Sequence, residues 1–318
     1  MRIGIPNTLF ASYHLPYWRE FLNGCGAEMI LSKPSEQSMA DRGGRLIPPE
    51  FCIPIKIFMG HILDLIERQV DLILVPRMKD RDQDSFFCPK LIGLPEIVKY
   101  AANLPEARLW TPEIGCHGAH IELLRLPEQP IAPPRLERAA ERRANAAWEQ
   151  RLAHCRRERL TLPEADAGSR PTAAPPSLRI GLLGYAYNLY DPWIGKGIAT
   201  KLTALGATIV TWEMLQPDLM ERQLRAMRRP IHWNFGRALL GAGLHFLADP
   251  ALDGIVYAST FGCGPDSIVL KWLGLEAAER QKPFLPLILD EHTEDGHLQT
   301  RLEAFSDMLS AIKEEHAV

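Results

Sequence analysis

The chain has 318 residues, 46 % hydrophobic and 24 % charged, with a formal net charge of −3. That length leaves room for two domains, and so small a charge gives no reason to expect a nucleic acid or an anionic membrane as partner. Six cysteines are too few for a disulfide scaffold, and no uninterrupted apolar run reaches the roughly 18 residues of a membrane span, so a cytoplasmic protein with working thiols is expected.

The first segment alternates strand and helix. Arg2 to Ile5 reads as a short core strand, Tyr17 to Leu22 as part of an amphipathic helix closed by Gly24 and Gly26, and Ala27 to Leu31 as a second strand. Between Ile55 and Arg68, apolar residues recur at helical spacing (Ile55, Phe58, Ile62, Leu65, Ile66). Val70 to Pro76 is a continuous apolar run, as expected for a strand buried on both faces, and a charged loop from Lys79 to Asp84 follows. This β-α-β-α-β order argues for a parallel sheet with helices on both faces.

The middle changes character. Three prolines lie between Glu128 and Pro134, and Arg135 to Arg159 is rich in Arg, Glu and Ala. This predicts an exposed connecting helix in preference to a basic arm for a nucleic acid or a phosphate-bearing ligand, because glutamates are interspersed. Leu162 to Pro176, rich in Pro and Ala, reads as a flexible linker. A second α/β segment opens at Leu178 to Gly184. Further strands are predicted at Ala207 to Trp212, Gly254 to Ser259 and Phe284 to Asp290, with helices between them and a closing helix from Leu302 to Lys313. The expected organisation is therefore a first α/β domain over 1–127, a charged helix and linker over 128–176, and a second α/β domain over 177–318. The fold class is α/β: two Rossmann-like parallel-sheet domains with a site in the cleft between them.

Three cysteines sit at element boundaries beside proline or glycine: Phe51-Cys52-Ile53-Pro54, Phe87-Cys88-Pro89-Lys90 and Gly262-Cys263-Gly264-Pro265. A thiol at a helix N-terminus lies near the positive end of the dipole, and flanking glycines leave space for a bulky inorganic group. Each residue alone reads more readily as a small buried hydrophobe than as a ligand. Their spacing matches no compact ferredoxin or zinc-finger pattern. Together they define the candidate site, an iron–sulfur cluster. Cys25 ends a helix and Cys155 lies on the charged helix, so both read as incidental. Cys116, in Gly115-Cys116-His117-Gly118-Ala119-His120, is a candidate zinc or additional cluster ligand.

A second constellation is Asp290-Glu291-His292-Thr293, at the end of the last strand, where catalytic carboxylates often sit. Its alternative reading is a strand-end hydrogen-bond network, with Thr300 and Glu303 forming a capping box on the final helix. No Walker A sequence is present, because Gly195-Lys196-Gly197 lacks both the spacing and the following Ser or Thr; no Gly-x-Gly-x-x-Gly follows either opening strand.

Several short motifs combine into a resemblance: Ile3-Gly4-Ile5-Pro6 with Tyr17-Trp18 and Phe21, Cys52-Ile53-Pro54-Ile55-Lys56, Gly60-His61, Val75-Pro76-Arg77, Cys88-Pro89-Lys90 with Gly93-Leu94-Pro95, Cys263-Gly264-Pro265-Asp266-Ser267, and Asp290-Glu291-His292-Thr293 with Arg301, Glu303 and Phe305. The chain resembles the 2-hydroxyacyl-CoA dehydratase component D-like proteins, in the branch related to the ATP-dependent activator of those enzymes. The resemblance spans nearly everything outside 128–176. It implies a single [4Fe–4S] cluster held by Cys52, Cys88 and Cys263, with the fourth iron position open. It implies electrons from an ATP-dependent activator, itself an iron–sulfur ATPase dimer of the ASKHA type, and their use in radical dehydration or reduction of a small substrate such as an acyl-CoA. Asp290, Glu291 and His292 are then the candidates for proton handling, and a dimer is expected. Asn7 departs from the pattern, which has a basic residue after Pro6. The alternative is a non-catalytic accessory protein of the activator system, holding zinc or no metal.

Overall fold

A computed structural model describes residues 1–79, 86–117, 120–127, 129–168, 178–225, 227 and 231–315. The chain divides into two compact units, residues 1–153 with 232–234 and residues 154–231 with 235–318.

The first unit begins with β1 (Arg2–Ile5), α1 (Ala11–Cys25), β2 (Glu28–Leu31), α2 (Gln37–Gly44), α3 (Ile53–Glu67) and β3 (Leu72–Leu74). It continues with β4 (Arg77–Met78), α4 (Pro89–Ile92), α5 (Leu94–Ala101), β5 (Leu109–Trp110), β6 (Glu113–His117), β7 (His120–Arg125) and α6 (Pro134–Glu158), whose last turn passes into the second unit. Its main sheet is parallel in the order β2-β1-β3-β5, and a smaller sheet runs β4-β6-β7, with β6 and β7 an antiparallel hairpin. The chain leaves β1 for β2 on one side and returns to β3 on the other, so the gap between β1 and β3 is a topological switch point. Trp18, Phe21 and Trp110 interlock over the sheet at ring-centroid distances of 5.6–6.2 Å and are almost wholly buried. Each large ring so buried is worth about 1.5–3 kcal/mol over an exposed one.

Helix α1 takes in the predicted Tyr17 to Leu22 stretch and runs through Pro16 from Ala11. Proline there removes only one bond of the first turns, a tolerable loss. The Arg- and Glu-rich helix α6 is not an exposed connector. Glu137, Ala140, Ala144, Trp148, Arg151, Leu152 and Cys155 form a buried stripe along it. Trp148 Nε1 and Arg151 Nη1 both donate to the Tyr13 carbonyl, at 3.2 and 3.1 Å. The small alanines allow close approach: a Cβ on Gly24 would lie 2.6 Å from the Ala140 Cβ.

The second unit contains α7 (Leu162–Ala167), β8 (Leu178–Gly184), α8 (Ala186–Tyr190), α9 (Ile198–Ala204), β9 (Ala207–Thr211), α10 (Pro217–Arg225), α11 (Asn234–Ala248), β10 (Gly254–Thr260), α12 (Gly264–Glu279), β11 (Phe284–Leu289) and α13 (Asp295–Glu315). Its sheet is parallel throughout, in the order β11-β10-β8-β9, with the switch point between β8 and β10. Both units are thus Rossmann-like, as expected. The start of the predicted linker is instead α7, which Thr161 and Glu164 open with a capping box. The rest of that linker, and most of the charged loop after Lys79, lie outside the described residues. The final helix begins at Asp295, so Thr300 and Glu303 do not cap it; Thr300 is internal and its hydroxyl donates to the Gly296 carbonyl at 3.0 Å. No helix among the described residues is long and apolar enough to cross a membrane.

Candidate functional site

Cys52, Cys88 and Cys263 occupy the same local device. Each is the residue just before a helix that has proline in its first turn (α3, α4 and α12). The Cys52 carbonyl accepts from Ile55 N–H at 3.0 Å, the Cys88 carbonyl from Leu91 N–H at 2.8 Å, and the Cys263 carbonyl from Ser267 N–H at 3.0 Å. The cysteine backbone therefore closes the first turn while its side chain stands outside it. The following proline has no N–H to leave unsatisfied and its fixed φ suits the start of a helix.

In the first unit Cys52 and Cys88 feel one another. Burial pushes the Cys52 thiol up; the Lys90 ammonium opposes this, Cys88 adds to the rise, and the N–H groups of Ile55 and Cys52 itself oppose it. Lys90 joins the two loops: its Nζ lies 5.0 Å from the centroid of the Phe51 ring and 3.4 Å from the Glu50 carbonyl oxygen. A half-buried thiol beside a second thiol resists ionisation until a cation joins it. A metal ion reverses both effects, because it deprotonates the thiol it coordinates and separates the two negative sulfurs.

His61, on α3, holds the neighbouring strand end in place. It is fully buried, its Nδ1 lies 2.7 Å from Ser32 Oγ and its Nε2 2.9 Å from Ser35 Oγ. Burial lowers its pKa to about 4 despite the opposing charge of Asp64. The imidazole is neutral at pH 7, and Ser32 in turn accepts from the Asn7 N–H at 2.8 Å. Asn7, the departure from the resemblance, is thus tied by its backbone to the loop after β2.

In the second unit, Cys263 follows β10 through Gly262, whose φ of +75° only glycine adopts easily. A Cβ at Gly262 or Gly264 would meet nothing within 4 Å, so the backbone on both sides of Cys263 borders open space. Asp266, a residue the sequence gives no role beyond its motif, lies fully buried in the first turn of α12 and accepts from the Tyr257 hydroxyl at 2.5 Å. Burial raises its pKa to about 6, against the hydrogen bonds from Ser259 and Tyr257. Its proton is therefore exchangeable near neutral pH, one turn from the candidate thiol.

The remaining candidates fall into place differently. The Asp290 carboxylate accepts from the His292 N–H at 2.9 Å and the Thr293 hydroxyl at 3.0 Å, and Thr293 Oγ1 accepts from the Asp290 N–H at 2.9 Å. Asp290 thus builds the turn that ends β11, while His292 is exposed. The half-buried Lys196 senses it: burial lowers the lysine's pKa, and Asp295, Asp191 and Asp290 oppose that. Cys116 pairs with Ile121 and His117 with His120 across the β6–β7 hairpin, but their side chains lie outside the described residues. Cys25 is pushed up to about 11, chiefly by burial, and Cys155 is buried.

The residues fit a thiolate-bound inorganic group in part. Cys52 and Cys88 lie close enough to interact electrostatically, and open space borders Cys263 in the second unit. Among the described residues, no group of three or more His, Cys, Asp or Glu side chains is gathered closely enough to hold a metal ion.

These features define a class: an α/β protein of two doubly wound units with cysteines at the entrances of helices. The chain belongs to the CoA enzyme activase uncharacterised domain family (DUF2229), whose model matches residues 2–215. The matched stretch takes in Cys52 and Cys88 and stops before Cys263. It supports the activase-related side of the resemblance and not the dehydratase component D assignment. No curated protein matches the chain.

Proposed function

We propose that this chain is an iron–sulfur protein of the CoA-enzyme activase system, related to the 2-hydroxyacyl-CoA dehydratase components. In this reading it takes low-potential electrons from an ATP-dependent activator and passes them to a small substrate such as an acyl-CoA. The observation that carries it is the electrostatically coupled Cys52–Cys88 pair with Lys90 reaching between the two loops. Cys52 and Cys88 supply two thiolates and Cys263 the third to a [4Fe–4S] cluster. Such a cluster, when bound, supplies one-electron transfer at a potential set by its surroundings. The chain's own residues do the rest. Lys90 offsets thiolate charge, and the N–H groups of Ile55 and Cys52 hydrogen-bond the Cys52 sulfur. The Asp290-Glu291-His292 turn handles protons in the second unit.

Anaerobic reconstitution of the full chain with iron and sulfide is expected to give a brown protein with about four irons per chain. Its visible absorption should bleach when activator and ATP are added. Cys52→Ala, Cys88→Ala and Cys263→Ala should each lose most of that absorption, and any variant that keeps all of it removes its residue from the ligand set. Zinc or no metal in the wild-type protein, with no ATP-dependent reduction, overturns the reading and leaves an accessory protein of the activator system.

A further inference from the structure

At the carboxyl edge of the first unit's sheet, at the β1/β3 switch point, lies a pocket that the thiol chemistry does not use. It encloses about 430 Å³ of empty space, part of it open to solvent. Ile5 and Pro6 at the end of β1, Leu74 and Pro76 at the end of β3, and Phe58 and Leu91 form its walls. No charged side chain among the described residues lines it. Its polar side chains are Thr8 and His14.

His14 is 5 % exposed, and its Nε2 meets no hydrogen-bond partner among the described residues. Edge contacts with Tyr13 (ring centroids 5.1 Å apart) and Trp148 (6.3 Å) fix the ring. Burial, then the charge of Arg151, lowers its pKa to about 3, so the ring is neutral at physiological pH. A buried polar atom with no partner costs about 1–3 kcal/mol, which a ligand atom placed against it would recover. Crevices at switch points are where doubly wound sheets bind small molecules.

We propose that this pocket binds a small uncharged molecule with an apolar body and one hydroxyl group, an alcohol or phenol, whose hydroxyl hydrogen-bonds His14 Nε2. The apolar walls take the body, and the lack of a lining cation or anion disfavours a charged ligand, whose desolvation nothing would offset. A hydroxyl both donates and accepts, so it suits either neutral tautomer of the imidazole. The site needs no metal, so its fate is independent of the cluster reading. Phe58 and Leu91 lie on the helices that Cys52 and Cys88 open, so an occupant would sit against both.

The test uses the full-length protein as purified without metal, with cyclohexanol, methylcyclohexane and cyclohexanecarboxylate as probes. Binding is followed by saturation-transfer NMR and by the ¹⁵N shifts of the His14 ring. Cyclohexanol is expected to bind about tenfold more tightly than methylcyclohexane, to shift the His14 Nε2 resonance, and to outcompete the carboxylate. In His14→Phe the preference for cyclohexanol over methylcyclohexane should vanish while weak apolar binding persists. Equal binding of cyclohexanol and methylcyclohexane to the wild-type protein, tighter binding of the carboxylate, or no binding of any probe overturns the proposal. The wild-type series decides the matter even if the variant fails to fold.

Discussion

Gly43→Ala is expected to destabilise the first unit by more than the ordinary overpacking cost of about 1–3 kcal/mol, and to displace Cys52 with it. Helices α2 and α3 pack backbone to backbone. A Cβ on Gly43 would fall 1.9 Å from the Lys56 carbonyl oxygen, and one on Gly60 would fall 2.2 Å from the Met39 carbonyl oxygen. Both obstacles are backbone, so no rotamer change relieves them and the helices must separate. Lys56 lies in the first turn of α3, immediately behind Cys52, and its N–H is 3.4 Å from the Cys52 carbonyl oxygen. Separation therefore moves the thiol relative to Lys90 and Cys88. Thermal unfolding should show a large drop for Gly43→Ala and Gly60→Ala, and the folded remainder should take up less iron. Wild-type stability in both variants would mean that α2 and α3 do not pack as described. Gly264→Ala is the control. Its Cβ meets only open space, so stability should change little.

How much of this was legible in the sequence depended on whether the signal was local. The parallel sheets were legible because strands buried on both faces read as apolar runs. The Val70 to Pro76 run located β3, although only Leu72–Leu74 pair. The cysteines at helix entrances were legible because a cysteine followed closely by proline carries its geometry in the adjacent residues. The packed face of α6 was not. An Ala140-Ala144 stripe signals helix propensity as readily as close packing, and only the partner Gly24 distinguishes the two. His14 was hidden for another reason. No motif surrounds it, and it lies before the Tyr17 to Leu22 stretch that reads as helix. Its neutrality comes from tertiary burial beneath Trp148, far along the chain. Asp266 is similar, since an acidic residue in a first helical turn ordinarily reads as a match for the helix dipole.

Those buried groups give the two units opposite responses to acid. His14 and His61, in the first unit, have pKa values of about 3 and about 4, below the unfolded value near 6.5. Between those limits the unfolded chain binds more protons, so the first unit is most stable above pH 6.5 and loses stability as pH falls toward 4 and then 3. From pH 7 to pH 5 each histidine should cost about 2 kcal/mol. Arg151 beside His14 works in the same direction, and Asp64 beside His61 opposes it. Asp266, in the second unit, is raised to about 6 from an unfolded value near 3.8. There the folded state binds the extra proton, so this residue stabilises the second unit by about 1 kcal/mol over the same interval. Hydrogen exchange followed by mass spectrometry at pH 7 and pH 5, corrected for intrinsic rates, resolves the two units separately. Amides of β1, β3 and α3 should lose protection on acidification while those of β8 and β10 hold or gain it. His14→Phe should remove about half of the first unit's loss, and Asp266→Asn the second unit's gain. Parallel losses in both units, unchanged by either substitution, would show that these buried groups do not set the acid response.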